Sequence, residues 1–110
     1  FVQPEQNSFA AAAANADWAS APGMGVVLNH EPGAESWPIT QASFILVHKV
    51  AEKPEQTKAT MDFFNWAWEN GAELASELDY VPLPKEVSET IREAWASEVK
   101  AADGSAVWTK

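Results

Sequence analysis

The sequence predicts an α/β chain that is helix-rich after one central strand, and three observations carry that reading. Residues 36–50 (SWPITQASFILVHKV) hold the only long apolar, β-rich run, with Phe44, Ile45, Leu46 and Val47 in succession. Continuous apolarity of that length suits a strand covered on both faces. Beyond it, apolar residues recur at helical spacing, with prolines placed to open helices. The first third carries helix and turn chemistry but too little apolar surface for a core of its own.

Taken in order, Asn7-Ser8 followed by FAAAAANAD is a helix signal, because alanine carries no side-chain entropy cost there. The following WASAPGMG is turn-rich, Val26 to Leu28 is a short strand candidate, and NHEPGAE is a loop with a Pro32-Gly33 turn. Pro38 has no N–H for a central ladder and biases Trp37 towards an extended backbone. The chain therefore enters the predicted buried strand, residues 42–48, from elsewhere. Pro54 suits a first helical residue, and Met61, Phe64 and Trp68 then lie on one face of a helix over Pro54–Asn70. Asn70-Gly71 marks an end or a bend. Residues 72–78 resume a helical pattern, and DYVPLP interrupts it with two prolines. A last long helix is predicted over 84–100, with Val87, Ile91, Ala94 and Trp95 on one face and Arg92 on the surface.

Composition excludes more than it identifies. The 110 residues suffice for one modest domain. Sixteen acids against seven bases give a net charge of −9, which argues against nucleic acid or an anionic membrane as partner. No cysteine is present, so disulfides, cysteine–zinc sites and thiol nucleophiles are excluded. No apolar run approaches the ~20 residues that span a bilayer. Phe1 is no ordinary translation start, so a fragment or a processed product is expected.

The candidate chemistry is thin. His30 and His48 are the only histidines, and neither stands in a metal-ligand spacing, so no metal site is predicted. Gly23-Met24-Gly25 precedes a strand candidate and opens no helix, the wrong order for a phosphate cradle. The carboxylates fall on polar helix faces without a cleft, the serines lack nucleophile contexts, and no catalytic residue is assigned. Trp66 and Trp68, with Phe63 and Phe64, read as a helix packed on two sides.

Several stretches taken together resemble the C-terminal part of the periplasmic phosphate-binding protein of bacterial phosphate ABC transporters, a type II periplasmic binding protein. They are AAAANADW at residues 11–18, SWPIT at 36–40 with the following FILVHK, FFNWAWENGAELASELDYVPLP at 63–84, and IREAW at 91–95. The resemblance covers nearly the whole chain in order.

It implies a two-lobed, Venus-flytrap fold that grips inorganic phosphate between α/β lobes in the periplasm and delivers it to membrane permease subunits. It implies a binding protein with no enzymatic activity and no cofactor. Residues 1–35 would belong to the second lobe, 36–41 to a hinge crossover, and 42–110 to the first lobe. Trp37, Pro38 and Ile39 are then the hinge candidates. The family's phosphate ligands have no counterpart here and are expected upstream of Phe1, in the missing N-terminal part of the same protein. On this reading residues 1–35 should pack poorly against residues 40–110. The alternative is a self-folding structural or interaction module that uses its aromatic helix as a docking surface; a phosphohydrolase of the same fold is the weakest reading.

Overall fold

The computed structural model describes all 110 residues, and its elements follow local sequence chemistry closely except where a strand needs a partner. Helix α1 (Gln6–Asn15) forms on the alanine run. The Ser8 hydroxyl closes its first turn by accepting the Glu5 N–H at 3.1 Å and donating to the Gln3 carbonyl at 2.5 Å. A short 3-10 turn, Pro22–Met24, places Gly23 at φ +62°, the left-handed region that glycine enters without a Cβ penalty.

Helix α2 (Pro54–Asn70) opens at Pro54 and closes where the Gly71 N–H donates to the Ala67 carbonyl at 2.7 Å. A Cβ on Gly71 would stand 2.6 Å from that carbonyl oxygen, so only glycine fits the bend into α3 (Ala72–Glu77). The proline-rich stretch after α3 leads to α4 (Lys85–Glu98). Strands β1 (Val50–Ala51) and β2 (Lys100–Ala101) pair in parallel, Val50 opposite Lys100 and Ala51 opposite Ala101.

Residues 42–48 are not a strand. The predicted buried central strand is instead an irregular strap on the surface, with Phe44 50%, Ile45 49% and Leu46 94% exposed. The physical reason is the lack of neighbours: strand pairing begins only at Val50, where Lys100 comes within reach. Residues 26–28, expected as a short strand, are irregular too, although Leu28 is buried.

Two small cores hold the chain. The first gathers Ala51, Met61, Val99, Val107 and Trp108, with Val47, Trp95, Ala96 and Ala101 packed against it. Met61 is its centre and is fully buried. The second gathers Ala13, Trp18, Leu28 and Val87, flanked by Leu83 and Ile91. Helix α1 thus lies on α4, and the expected poor packing of residues 1–35 against residues 40–110 is corrected: an apolar seam joins them. The chain is still elongated, 52 × 29 × 18 Å, with a radius of gyration of 15.2 Å. A compact chain of this length would have ~13 Å.

Candidate functional site

The hinge candidates sit on a latched corner. The Trp37 N–H donates to the Ser8 carbonyl at 3.0 Å, and the His30 N–H donates to the Pro38 carbonyl at 3.0 Å. The indole of Trp37 lies 6.2 Å from the Phe9 ring, centroid to centroid. Just before it, buried Ser36 accepts from Asn15 Nδ2 at 3.1 Å and donates to the Pro32 carbonyl at 2.7 Å. Gly33, at φ +105°, lets this happen, since a Cβ there would meet Asn15 Nδ2 at 2.7 Å. Thr40 closes the corner by donating to the Trp37 carbonyl at 3.1 Å.

Trp37 and Pro38 are half-buried and tied to α1, whereas Ile39 is 73% exposed. From Ile39 to His48 no backbone group bonds to another backbone group. The three residues predicted as one hinge therefore divide, with Trp37 and Pro38 on the anchored side and Ile39 at the start of the strap.

A second cluster lies across α2 and α4. Arg92, predicted on the surface, is buried instead. Its Nε donates to Asn65 Oδ1 at 2.6 Å and its Nη1 to Ser88 Oγ at 3.2 Å, while Glu69 stands 3.6 Å from Nη2. The guanidinium lies 5.7 Å from the Trp68 ring centroid, and Trp68 stacks on Trp95 at 5.0 Å. Trp95 in turn meets Trp108 edge-on at 5.5 Å. Burial of a guanidinium is tolerable because its donors are taken and an aromatic face covers it. The reading missed this cluster, although Ser88 and Arg92 stand four apart beside Val87 and Ile91, a spacing that puts them on one helix flank.

The groove beside Arg92 measures about 830 Å³ and carries Asp62, Glu69 and Glu89 along with Lys85 and Lys110. Lys58, hydrogen-bonded to Asp62 at 2.6 Å, is the main cause holding that carboxyl below its usual range; the Trp108 indole N–H, 3.0 Å away, adds to it. Lys58, Lys85 and Arg92 each have an acidic neighbour, Asp62, Glu89 and Glu69 respectively. Helices α2, α3 and α4 carry Glu55, Glu73 and Glu86 in their first turns, so acids already stand at the positive ends of their dipoles. His30 and His48 are exposed, and no three of the His, Asp and Glu side chains converge in a way that would hold a metal ion. Trp66 is 54% and Phe63 59% exposed, so α2 is packed on one side only. No helix is long and apolar enough to cross a membrane.

Comparison with known proteins sets this sequence beside one group of relatives, all named as phosphate-binding proteins. The chain is 61% identical over 108 residues to the phosphate-binding protein PstS of Pasteurella multocida, which takes in 98% of the chain and 31% of that relative. It is 52% identical over 100 residues to PstS of Haemophilus influenzae and 49% identical over 100 residues to PstS of Xylella fastidiosa. The chain is homologous to this stretch of the phosphate-binding proteins, and it spans about a third of their length. No family model matches it.

Proposed function

We propose that this chain is the C-terminal stretch of the phosphate-binding subunit of an ABC transporter, supplying hinge and scaffold without supplying phosphate ligands. The complete protein captures inorganic phosphate in the periplasm and hands it to membrane permease subunits, and it binds without catalysing a reaction. The observation that carries this is the 61% identity extending over 98% of the chain to a protein named for phosphate binding.

In this reading residues 1–35 belong to the second lobe, 36–41 to the crossover, and 42–110 to the first lobe. The strap supports the crossover: a hinge works where few residues absorb the backbone rotation and little bonding resists it. Its bare apolar residues, Phe44, Ile45 and Leu46, are the part of the first lobe that awaits cover from the rest of that lobe. The ligand reading follows from donor chemistry. A buried oxyanion needs converging N–H groups, hydroxyls and a cation free of carboxylates. Arg92 is the only arginine, and Asn65, Ser88 and Glu69 already hold it.

The test is a graft. Replacing the matching stretch of the Pasteurella multocida relative with these 110 residues is expected to leave tight phosphate binding by isothermal titration. An Arg92→Gln graft that folds but loses phosphate binding altogether counts against the ligand assignment.

A further inference from the structure

We propose that Asn70 is a latent deamidation site kept closed by the last turn of α2, so that the chain is modified there only when that turn opens. Asparagine followed by glycine is the pair most open to this chemistry, because no Cβ shields the glycine nitrogen from the neighbouring side chain. Asn70-Gly71 is the one such pair in the chain, and Asn70 is exposed to water. The reacting atoms and their partners all lie between Trp66 and Ala75, so nothing here depends on the transport reading.

The reaction needs only water. The Gly71 nitrogen bonds to Cγ of Asn70 while its proton passes through water to the departing Nδ2. The Cγ–Nδ2 bond breaks, ammonia leaves, and a cyclic succinimide is left. Water then opens the ring on one side to aspartate, or on the other to isoaspartate, in which the main chain runs through Cβ and Cγ. One water is consumed and one ammonia released; nothing is oxidised or reduced.

The fold withholds both reacting groups. The Gly71 N–H donates to the Ala67 carbonyl at 2.7 Å, which holds its proton and fixes the direction of the nitrogen. Asn70 Nδ2 donates to the Trp66 carbonyl at 2.9 Å, drawing the side chain back along α2 and away from that nitrogen. On the far side, the Gly71 carbonyl accepts the Ala75 N–H at 2.9 Å, so α3 holds the same residue. Conversion also prevents return. A Cβ on Gly71 would already crowd the Ala67 oxygen at 2.6 Å, so the extra main-chain atom of isoaspartate does not fit the bend. Either product places a new carboxylate at the negative end of the α2 dipole, where no basic residue stands.

The tail supplies a comparison. Asp103-Gly104 can close the same ring, but an ionised carboxylate is a poor acyl donor. The Ser105 hydroxyl, with the Ser105 N–H, holds the Asp103 carboxyl below its usual range.

The test incubates the 110-residue chain at mildly alkaline pH in native buffer and in guanidinium chloride. Mass spectrometry follows the peptide containing Asn70, and enzymatic methylation reads isoaspartate. Conversion at Asn70 should be slower in native buffer by more than about tenfold, as for a turn that is open less than about a tenth of the time. Asp103-Gly104 should lag behind Asn70 in denaturant. Gly71→Ala crowds the Ala67 carbonyl and also slows the chemistry itself, so its reading is the ratio between the two media, which should fall below that of the parent. Equal rates in the two media, or a ratio unmoved in Gly71→Ala, overturn the guard; no conversion in denaturant overturns the site. Chain converted in denaturant and then refolded should have lost exchange protection at the Ala75 amide, and protection kept there overturns the barrier to return.

Discussion

The two cores of this chain are of similar size and are built in opposite ways. Around Met61 the apolar contacts are overlaid by polar ones. The Lys100 N–H donates to the Lys49 carbonyl at 2.8 Å, Lys49 pairs with Glu98 at 2.5 Å, and the Trp108 indole donates to Asp62 at 3.0 Å. Those bonds bring together residues up to 51 positions apart, from the end of the strap to the tail. Around Trp18 and Val87 the one polar bond, from the Trp18 indole N–H to the Ala13 carbonyl at 2.7 Å, stays on one side, and what joins that side to Val87 is apolar contact only. The first core fixes one arrangement, because sliding it would break directional bonds. The second holds its two sides by area alone. Rigidity here is a matter of which contacts are directional, not of how many apolar residues are buried.

The sharpest way to break this contrast is to empty the first core. Met61→Ala removes the one fully buried large side chain, and a loss of ~2–5 kcal/mol is expected by chemical denaturation. The loss should spare the exchange protection of the Trp37 amide, since Ser8, Asn15 and Ser36 do not touch that core. Equal loss at both places means a single cooperative unit and ends the comparison.

The corner can be attacked in its turn. Gly33→Ala forces a side chain into a positive-φ position and against Asn15, and should cost about 1–3 kcal/mol of local stability. Hydrogen exchange should show it at the Trp37 amide and not in α2. A smaller change, Ser36→Ala, removes the acceptor for Asn15 and the donor to Pro32, worth about 1 kcal/mol. Faster exchange confined to residues 30–40 is the expected pattern; no change there would mean the latch holds nothing.

The smallest effect is electrostatic. Asp62 is exposed, and its folded carboxyl titrates below its unfolded value, chiefly because of Lys58. A depressed acid contributes stability that is present above the unfolded value near pH ~3.9 and is lost as pH falls through the folded one. Thermal melts of Asp62→Asn should therefore fall less steeply below pH ~4 than those of the parent chain. An identical acid slope would remove Asp62 from the polar overlay of the first core.

Much of the helical layer was legible from residues alone. Pro54 and Asn70-Gly71 bracket α2 at its observed ends, because a proline start and a glycine stop are local chemistry. The strand was not legible as it stands. Phe44 to Val47 have strand character, but a strand exists only with a partner, and the pattern of one segment does not say which backbone will lie beside it. Arg92 was misplaced for a related reason: its burial depends on Asn65, which is 27 positions away in sequence. At the candidate hinge, Pro38 signalled the break in pattern. The Asn15–Ser36 bond that decides where the anchored side ends joins residues 21 apart, beyond any local signal.

The central claim is that this stretch carries the scaffold and the hinge of a phosphate-binding protein but none of its ligands. Equilibrium dialysis of the 110-residue chain against labelled inorganic phosphate tests it most directly. The account predicts retention no higher than that of an unrelated acidic protein. Saturable micromolar binding, lost in Arg92→Gln, would contradict it and move the phosphate site into this chain.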